Sequence, residues 1–127
     1  MRMAGYIRVS TPRQAEHGES LDLQEKRLKA EAKQRGWALT LYREEGISAK
    51  DEKRPAYQRM RADLEAGTVT GVVATNLDRI WRSLGLAVNE IKTFTKEWGR
   101  DLVILDDKVD TKTASGLLAL HTILGVA

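Results

Sequence analysis

MAGYIRVST, residues Met3 to Thr11, is the stretch from which the rest of the chain is read. Met3 to Val9 form a first strand, and because side chains alternate along a strand, Tyr6, Arg8 and Ser10 share one face while Ile7 and Val9 take the other. A guanidinium is thereby fixed beside a hydroxyl. The pair suits attack on a phosphate, since the flat and permanently charged fork of arginine matches phosphate oxygens better than lysine does. A strand that merely ends in a polar residue before a turn has the same appearance, so the remaining sequence must separate the two readings.

Outward from this strand, Thr11 to Glu19 is polar and holds Pro12 and Gly18, which makes it a loop. Ser20 then caps a helix running to about Arg35, with Leu21, Leu28 and Ala32 on one face and Gly36 closing it. Trp37 to Tyr42 reads as the second strand, and Arg43 to Arg54 as a charged connection broken by Gly46. Pro55 opens the next helix, in which Tyr57, Met60 and Leu64 keep helical spacing up to Gly67. Gly71 to Thr75 is a short β-branched strand of the kind buried on both faces of a parallel sheet. Ser83 caps a third helix, with Leu84, Ala87, Val88, Ile91, Phe94, Thr95 and Trp98 in period until Gly99. Leu102 to Leu105 is the fourth strand, Asp106 to Lys112 a charged loop, and from about Thr113 an apolar helix begins that shows no capping signal at its end.

Strands alternating with helices predict an α/β domain with a mainly parallel sheet of four to five strands and helices on both faces. Ligands of such sheets bind beyond the carboxyl ends of the strands. Ser10 follows the first strand, Arg54 closes the connection after the second, and Asp78, Arg79 and Arg82 follow the third. Their loops converge on one edge of the sheet.

Bulk properties narrow the function. The 127 residues make one domain, large enough to bury a core without staples, and 42% hydrophobic with 31% charged residues is ordinary globular composition. A net charge of +3 is compatible with a polyanionic partner without requiring one. With no cysteine and only two isolated histidines, His17 and His121, neither a disulfide framework nor a thiolate zinc site is available, and no metal or cofactor is expected. No apolar run spans a bilayer and no signal-peptide pattern opens the chain, so a cytoplasmic location away from membranes is expected.

Four segments in order, YIRVST, SLDLQ at Ser20–Gln24, EGISAKDEKRP at Glu45–Pro55 and LDRIWRS at Leu77–Ser83, resemble the catalytic domain of the serine recombinases, the resolvase and invertase family. The long loop carrying AEHGES makes the chain most similar to the large members, the phage integrases and transposon enzymes. The resemblance implies a three-layer resolvase-like fold and double-stranded DNA as the partner. It implies Ser10 as a nucleophile that attacks the phosphodiester and forms a 5′-phosphoserine link, Arg8, Arg54, Arg79 and Arg82 as ligands of the scissile phosphate, and Asp78 as the acidic residue beside them. Tyr6 and Gln24 match supporting positions. Asp78 could take a proton or orient Arg8 or Arg79, and Trp81 is bulkier than expected among the arginines.

The same resemblance implies strand exchange and religation without metal or ATP, and a dimer that pairs into a tetramer. Residues 1–112 are then the catalytic core and residues 113–127 the start of a truncated dimerisation helix, and this fragment alone is expected to be inactive or impaired in cleavage. Three rivals remain. A retired module serving assembly or regulation need not keep Ser10 and four arginines. A metal-dependent nuclease needs convergent carboxylates, whereas Glu44–Glu45 and Asp106–Asp107 read as solvated loop charge. A phosphate-binding signalling domain of this architecture wants acidic residues after the first strand, where this chain has Ser10.

Overall fold

The computed structural model describes residues 1–9, 20–45 and 54–125, and of Val9 and Glu45 the backbone alone. Ser10, the loop to Glu19, His17 and the segment between Glu45 and Arg54 therefore lie outside the described residues. Five strands, β1 (Arg2–Val9), β2 (Ala38–Glu45), β3 (Gly71–Ala74), β4 (Asp101–Ile104) and β5 (Val109–Asp110), form one sheet in the order β2-β1-β3-β4-β5. The first four are parallel, and β5 returns antiparallel to β4. Four α-helices, α1 (Leu21–Arg35), α2 (Pro55–Ala66), α3 (Leu84–Lys92) and α4 (Ala114–Leu124), cover the sheet.

Alternation along β1 divides the core. Met3 and Ile7 face α1, packing with Leu21 and Leu28, while Ala4 and Tyr6 face the opposite side with residues of α2, α3 and α4. Three layers result, an α/β domain with helices on both faces. All four residues of β3 are buried, as its apolar composition requires. The chain moves from β1 to β2 on one side and to β3 on the other, so the topological switch lies between β1 and β3.

Local signals set the helix ends. Ser20 accepts from the Leu23 amide at the start of α1, and Gly36 ends it at φ 73°, a left-handed conformation that glycine adopts without a Cβ penalty. Ser83 and Thr113 cap α3 and α4 in the same way as Ser20.

The structure departs from the sequence reading in four places. Strand β2 runs to Glu45, three residues past its expected end, because β1 pairs with it in register as far as Val9↔Glu45. The periodic run to Trp98 is not one α-helix: after Lys92 it widens into a π-turn over Thr93–Glu97. Thr93 and Thr95 donate their hydroxyls to the Asn89 and Ile91 carbonyls four residues back, competing with the backbone ladder. The charged segment Asp106–Lys112 contains β5, and Gly116 of α4 sits directly on it; a Cβ at Gly116 would lie 2.5 Å from the Asp110 nitrogen and oxygen. Finally, α4 does end in a cap, at Gly125 with φ 71°, whose amide reaches the carbonyls of His121 and Thr122.

Candidate nucleic-acid site

The switch point between β1 and β3 is where the arginines gather. Arg8, near the end of β1, donates from Nε to the Arg79 carbonyl at 3.0 Å and from a terminal nitrogen to the Asp78 carbonyl at 2.6 Å. Those carbonyls belong to a single 3₁₀ turn, Leu77–Arg79, that follows β3, and the amide of its first residue is held by the Asp107 carboxylate at 3.1 Å. Arg79 in turn reaches back to the Arg8 carbonyl at 3.4 Å. Asp78 thus contributes its backbone to Arg8, with its side chain exposed.

Gln24 fixes the other side of Arg8. It is fully buried on α1, accepts from the Arg8 amide and donates to the Arg8 carbonyl, both at 3.1 Å, so that one side chain satisfies a whole peptide residue.

Arg54 arrives from the N-cap of α2. Its φ of 38° is left-handed for a residue with a side chain, and it caps nothing itself. The capping falls to Glu44 from β2, buried to 2%, which accepts from the Ala56 and Tyr57 amides at 3.1 Å each and from the Tyr6 hydroxyl at 2.9 Å. Reading Glu44 as solvated loop charge was incorrect. Its partners lie 12 and 13 residues downstream, across the connection, so no local spacing reveals them. Arg54 donates to the Tyr6 hydroxyl at 2.9 Å and to the Ile80 carbonyl, which ties it to the segment bearing Arg79 and Arg82. Arg82 is exposed and lines, with Arg54, Tyr57, Ser83 and Glu90, a groove of about 510 Å³.

Trp81 is accommodated by burial. It is 4% exposed, lies 6.1 Å from the Phe94 ring, and donates its indole N–H to the Tyr57 hydroxyl at 2.9 Å.

The partners of these arginines differ from those of several arginines elsewhere, although Arg100, outside the site, is likewise held by backbone carbonyls, of Leu64 and Glu65. Arg27, Arg35 and Arg61 pair with the carboxylates of Asp106, Asp110 and Glu90 respectively. Arg8 and Arg54 are held by carbonyls and a phenol. Among the described residues no carboxylate pairs with either, so their charge is positioned without being neutralised there. Burial lowers the Arg8 pKa, Arg54, Arg79 and Arg82 push it the same way, and Tyr6 opposes them. Tyr6 itself is pushed above the ordinary phenol range, chiefly by burial, and against the opposing influence of Arg54. A site of this form can receive an anion with several non-bridging oxygens. Among the described residues, no three histidine, aspartate or glutamate side chains gather in a way that could hold a metal ion, and no helix is long and apolar enough to cross a membrane.

The structure therefore brings Tyr6, Arg8, Gln24, Arg54 and Arg79 together, places Arg82 at the rim and Asp78 in the connecting turn, and leaves Ser10 outside the described residues.

Residues 3–127 match the family model "Resolvase, N terminal domain". The N-terminal catalytic domain of TP901-1 integrase superposes with a TM-score of 0.86 at 36% identity, covering 98% of this chain and 92% of that one. A resolvase family site-specific recombinase from Streptococcus pneumoniae gives 0.77 at 26% identity, over 98% of this chain and 85% of its own. A Pseudomonas putida protein described as a resolvase/recombinase is 32% identical over all 127 residues, which span 64% of its length.

Proposed function

The chain belongs to the serine recombinase family, as a resolvase-type catalytic domain, and from that membership we propose that it cleaves and rejoins DNA through Ser10. The Ser10 oxygen attacks the phosphorus of a phosphodiester, forming the Ser–O–P bond as the P–O3′ bond breaks. The departing oxygen takes a proton to become a 3′-hydroxyl, and the 5′-phosphate stays on the protein. A 3′-hydroxyl from the exchanged strand reverses the step and frees Ser10. The ester conserves the phosphodiester bond, so religation needs no ATP. Arg8, Arg54, Arg79 and Arg82 receive the non-bridging oxygens, whose charge grows in the transition state, and act where other enzymes place metal ions. Tyr6 and Gln24 hold Arg54 and Arg8 in place.

The observation that carries this reading is the gathering of Arg8, Arg54 and Arg79 at the switch point, with Arg8 and Arg54 bonded to neutral acceptors. It is tested by incubating the chain with a duplex library of random sequence, denaturing it, and sequencing any 5′ ends that remain attached to protein. The adduct is expected to form with chelator present and to disappear in Ser10→Ala. Cleavage that persists in Ser10→Ala, or that requires a divalent ion, overturns the mechanism.

For partners, the reading adds a second copy of this chain. Leu118 is 66% exposed and Leu117 37% on α4, an apolar surface suited to self-association. Leu118→Glu is expected to shift sedimentation toward the monomer.

A further inference from the structure

Arg54 is tied by hydrogen bonds at one end only. The same terminal nitrogen donates to the Tyr6 hydroxyl and to the Ile80 carbonyl, while Nε is buried with no hydrogen-bond partner among the described residues. Both bonds come from one nitrogen, so hydrogen bonding within the described residues leaves the Nε edge of the guanidinium unheld. What lies against that plane is an aromatic face: the Arg54 Cζ is 4.3 Å from the centre of the Tyr57 ring, and 5.4 Å from that of Tyr6.

The Tyr57 ring is itself immobilised. It meets Tyr6 edge to face at 5.8 Å and 79°. Its hydroxyl accepts from the Trp81 indole at 2.9 Å and donates to Glu90 at 2.7 Å, and Glu90 is gripped by Arg61 at 2.9 and 3.3 Å. Arg61, Glu90, Tyr57 and Trp81 therefore form one chain of polar contacts that joins α2, α3 and the segment carrying Arg79 and Arg82. Far more structure is spent on holding this ring than burial of a tyrosine requires.

From this we infer that Tyr57 is the positioning residue of Arg54, its ring a rigid shelf on which the guanidinium lies, with Trp81 and Glu90 locking the shelf. An aromatic face attracts a cation through its quadrupole and carries no net charge. It orients Arg54 without the neutralisation a carboxylate would bring, and leaves the charge for an incoming phosphate. The inference rests on the reading of Arg54 as a phosphate ligand. It adds a residue on α2 and two supports, one of them the tryptophan that looked out of place among the arginines.

The test replaces Tyr57 in the intact chain by phenylalanine, by trifluorinated phenylalanine and by leucine. Fluorination drains the ring's quadrupole at nearly constant size, so packing alone does not respond to it. The first readout is the exchange of the two Arg54 guanidinium NH₂ groups by nitrogen-15 NMR, assigned with Arg54→Lys; the second is the rate of Ser10 adduct formation on the DNA library. Measured against Tyr57→Phe, the trifluorinated form is expected to rotate faster and to form adduct about three- to ten-fold more slowly, the range of a cation–π contact. Tyr57→Leu is expected to lose at least as much. Equal rotation in the phenylalanine and trifluorinated forms overturns the inference, whether or not the leucine variant folds. An unmodified chain that forms no adduct strikes instead at the recombinase reading, and the NMR comparison then decides the positioning role alone.

Discussion

Gln24 completes the hydrogen bonding of a residue it does not adjoin. Because it is fully buried and supplies both a donor and an acceptor to the Arg8 backbone, Gln24→Ala strands the Arg8 amide and leaves the Arg8 carbonyl with only the long bond from Arg79, at a cost of roughly 1–3 kcal/mol. Urea unfolding is the measurement. Gln24→Glu keeps the acceptor but sets a buried carboxylate oxygen against the Arg8 carbonyl, and is expected to cost at least as much. The phenols of Tyr6 and Tyr57 give a pH signature at the same scale. Burial is the largest cause raising both above their ordinary value of 10.0, with Glu90 adding to it at Tyr57 and Arg54 opposing it at both. A folded pKa above the unfolded one means that the stabilisation is complete below the unfolded value and lost as pH rises toward the folded one. Stability is therefore expected to fall above about pH 10, by about 1.4 kcal/mol per pH unit for each tyrosine. Chemical unfolding across that range, compared with the Tyr6→Phe, Tyr57→Phe double variant, isolates their share of the slope.

At the scale of elements, α4 and β5 stand or fall together. The absent side chain of Gly116 is what lets the helix seat on the Asp110 backbone, so Gly116→Ala must displace one of them. The expected loss is about 1–3 kcal/mol or more, with amide exchange accelerated at Val109 and Asp110 in particular. Of the two, α4 was legible as an apolar helix beginning near Thr113, whereas β5 was not. Two residues of strand inside a charged segment have no period to detect, and their pairing with β4 comes from a turn whose Lys108 adopts φ 56°. Signals that act within a few residues were legible: Ser20, Ser83, Gly36 and Gly67 mark helix ends because a cap satisfies its own neighbours. The π-turn was hidden because Phe94 and Trp98 stay against the core through it, stacked at 5.5 Å, and the apolar period hardly changes. The site divides in the same way. Tyr6 and Arg8 could be placed from strand alternation, and Arg54 and Arg79 by resemblance, whereas Glu44, Tyr57 and Glu90 work through partners on other elements, and their spacing says only that they belong to a strand end or a helix face.

For the molecule as a whole, strand order decides what the site can be. With β1 flanked by β2 and β3, the end of β1 and the connections that follow β2 and β3 bring Arg8, Arg54 and Arg79 to one place, and the fold must carry the resulting repulsion. Arg79 shows the cost most plainly, since its Nε is buried with no hydrogen-bond partner among the described residues and its one bond to Arg8 is long, at 3.4 Å. Arg79→Met is expected to raise the melting temperature while abolishing adduct formation. Scanning calorimetry beside the covalent assay measures both. The holding of Arg8 and Arg54 by carbonyls and a phenol has a practical corollary. On the proposed reading, small multivalent anions that settle among the arginines prefer the folded chain and shift the equilibrium toward it, so sulfate or phosphate is expected to raise the melting temperature, and thermal endurance in plain buffer to understate that of the anion-bound chain.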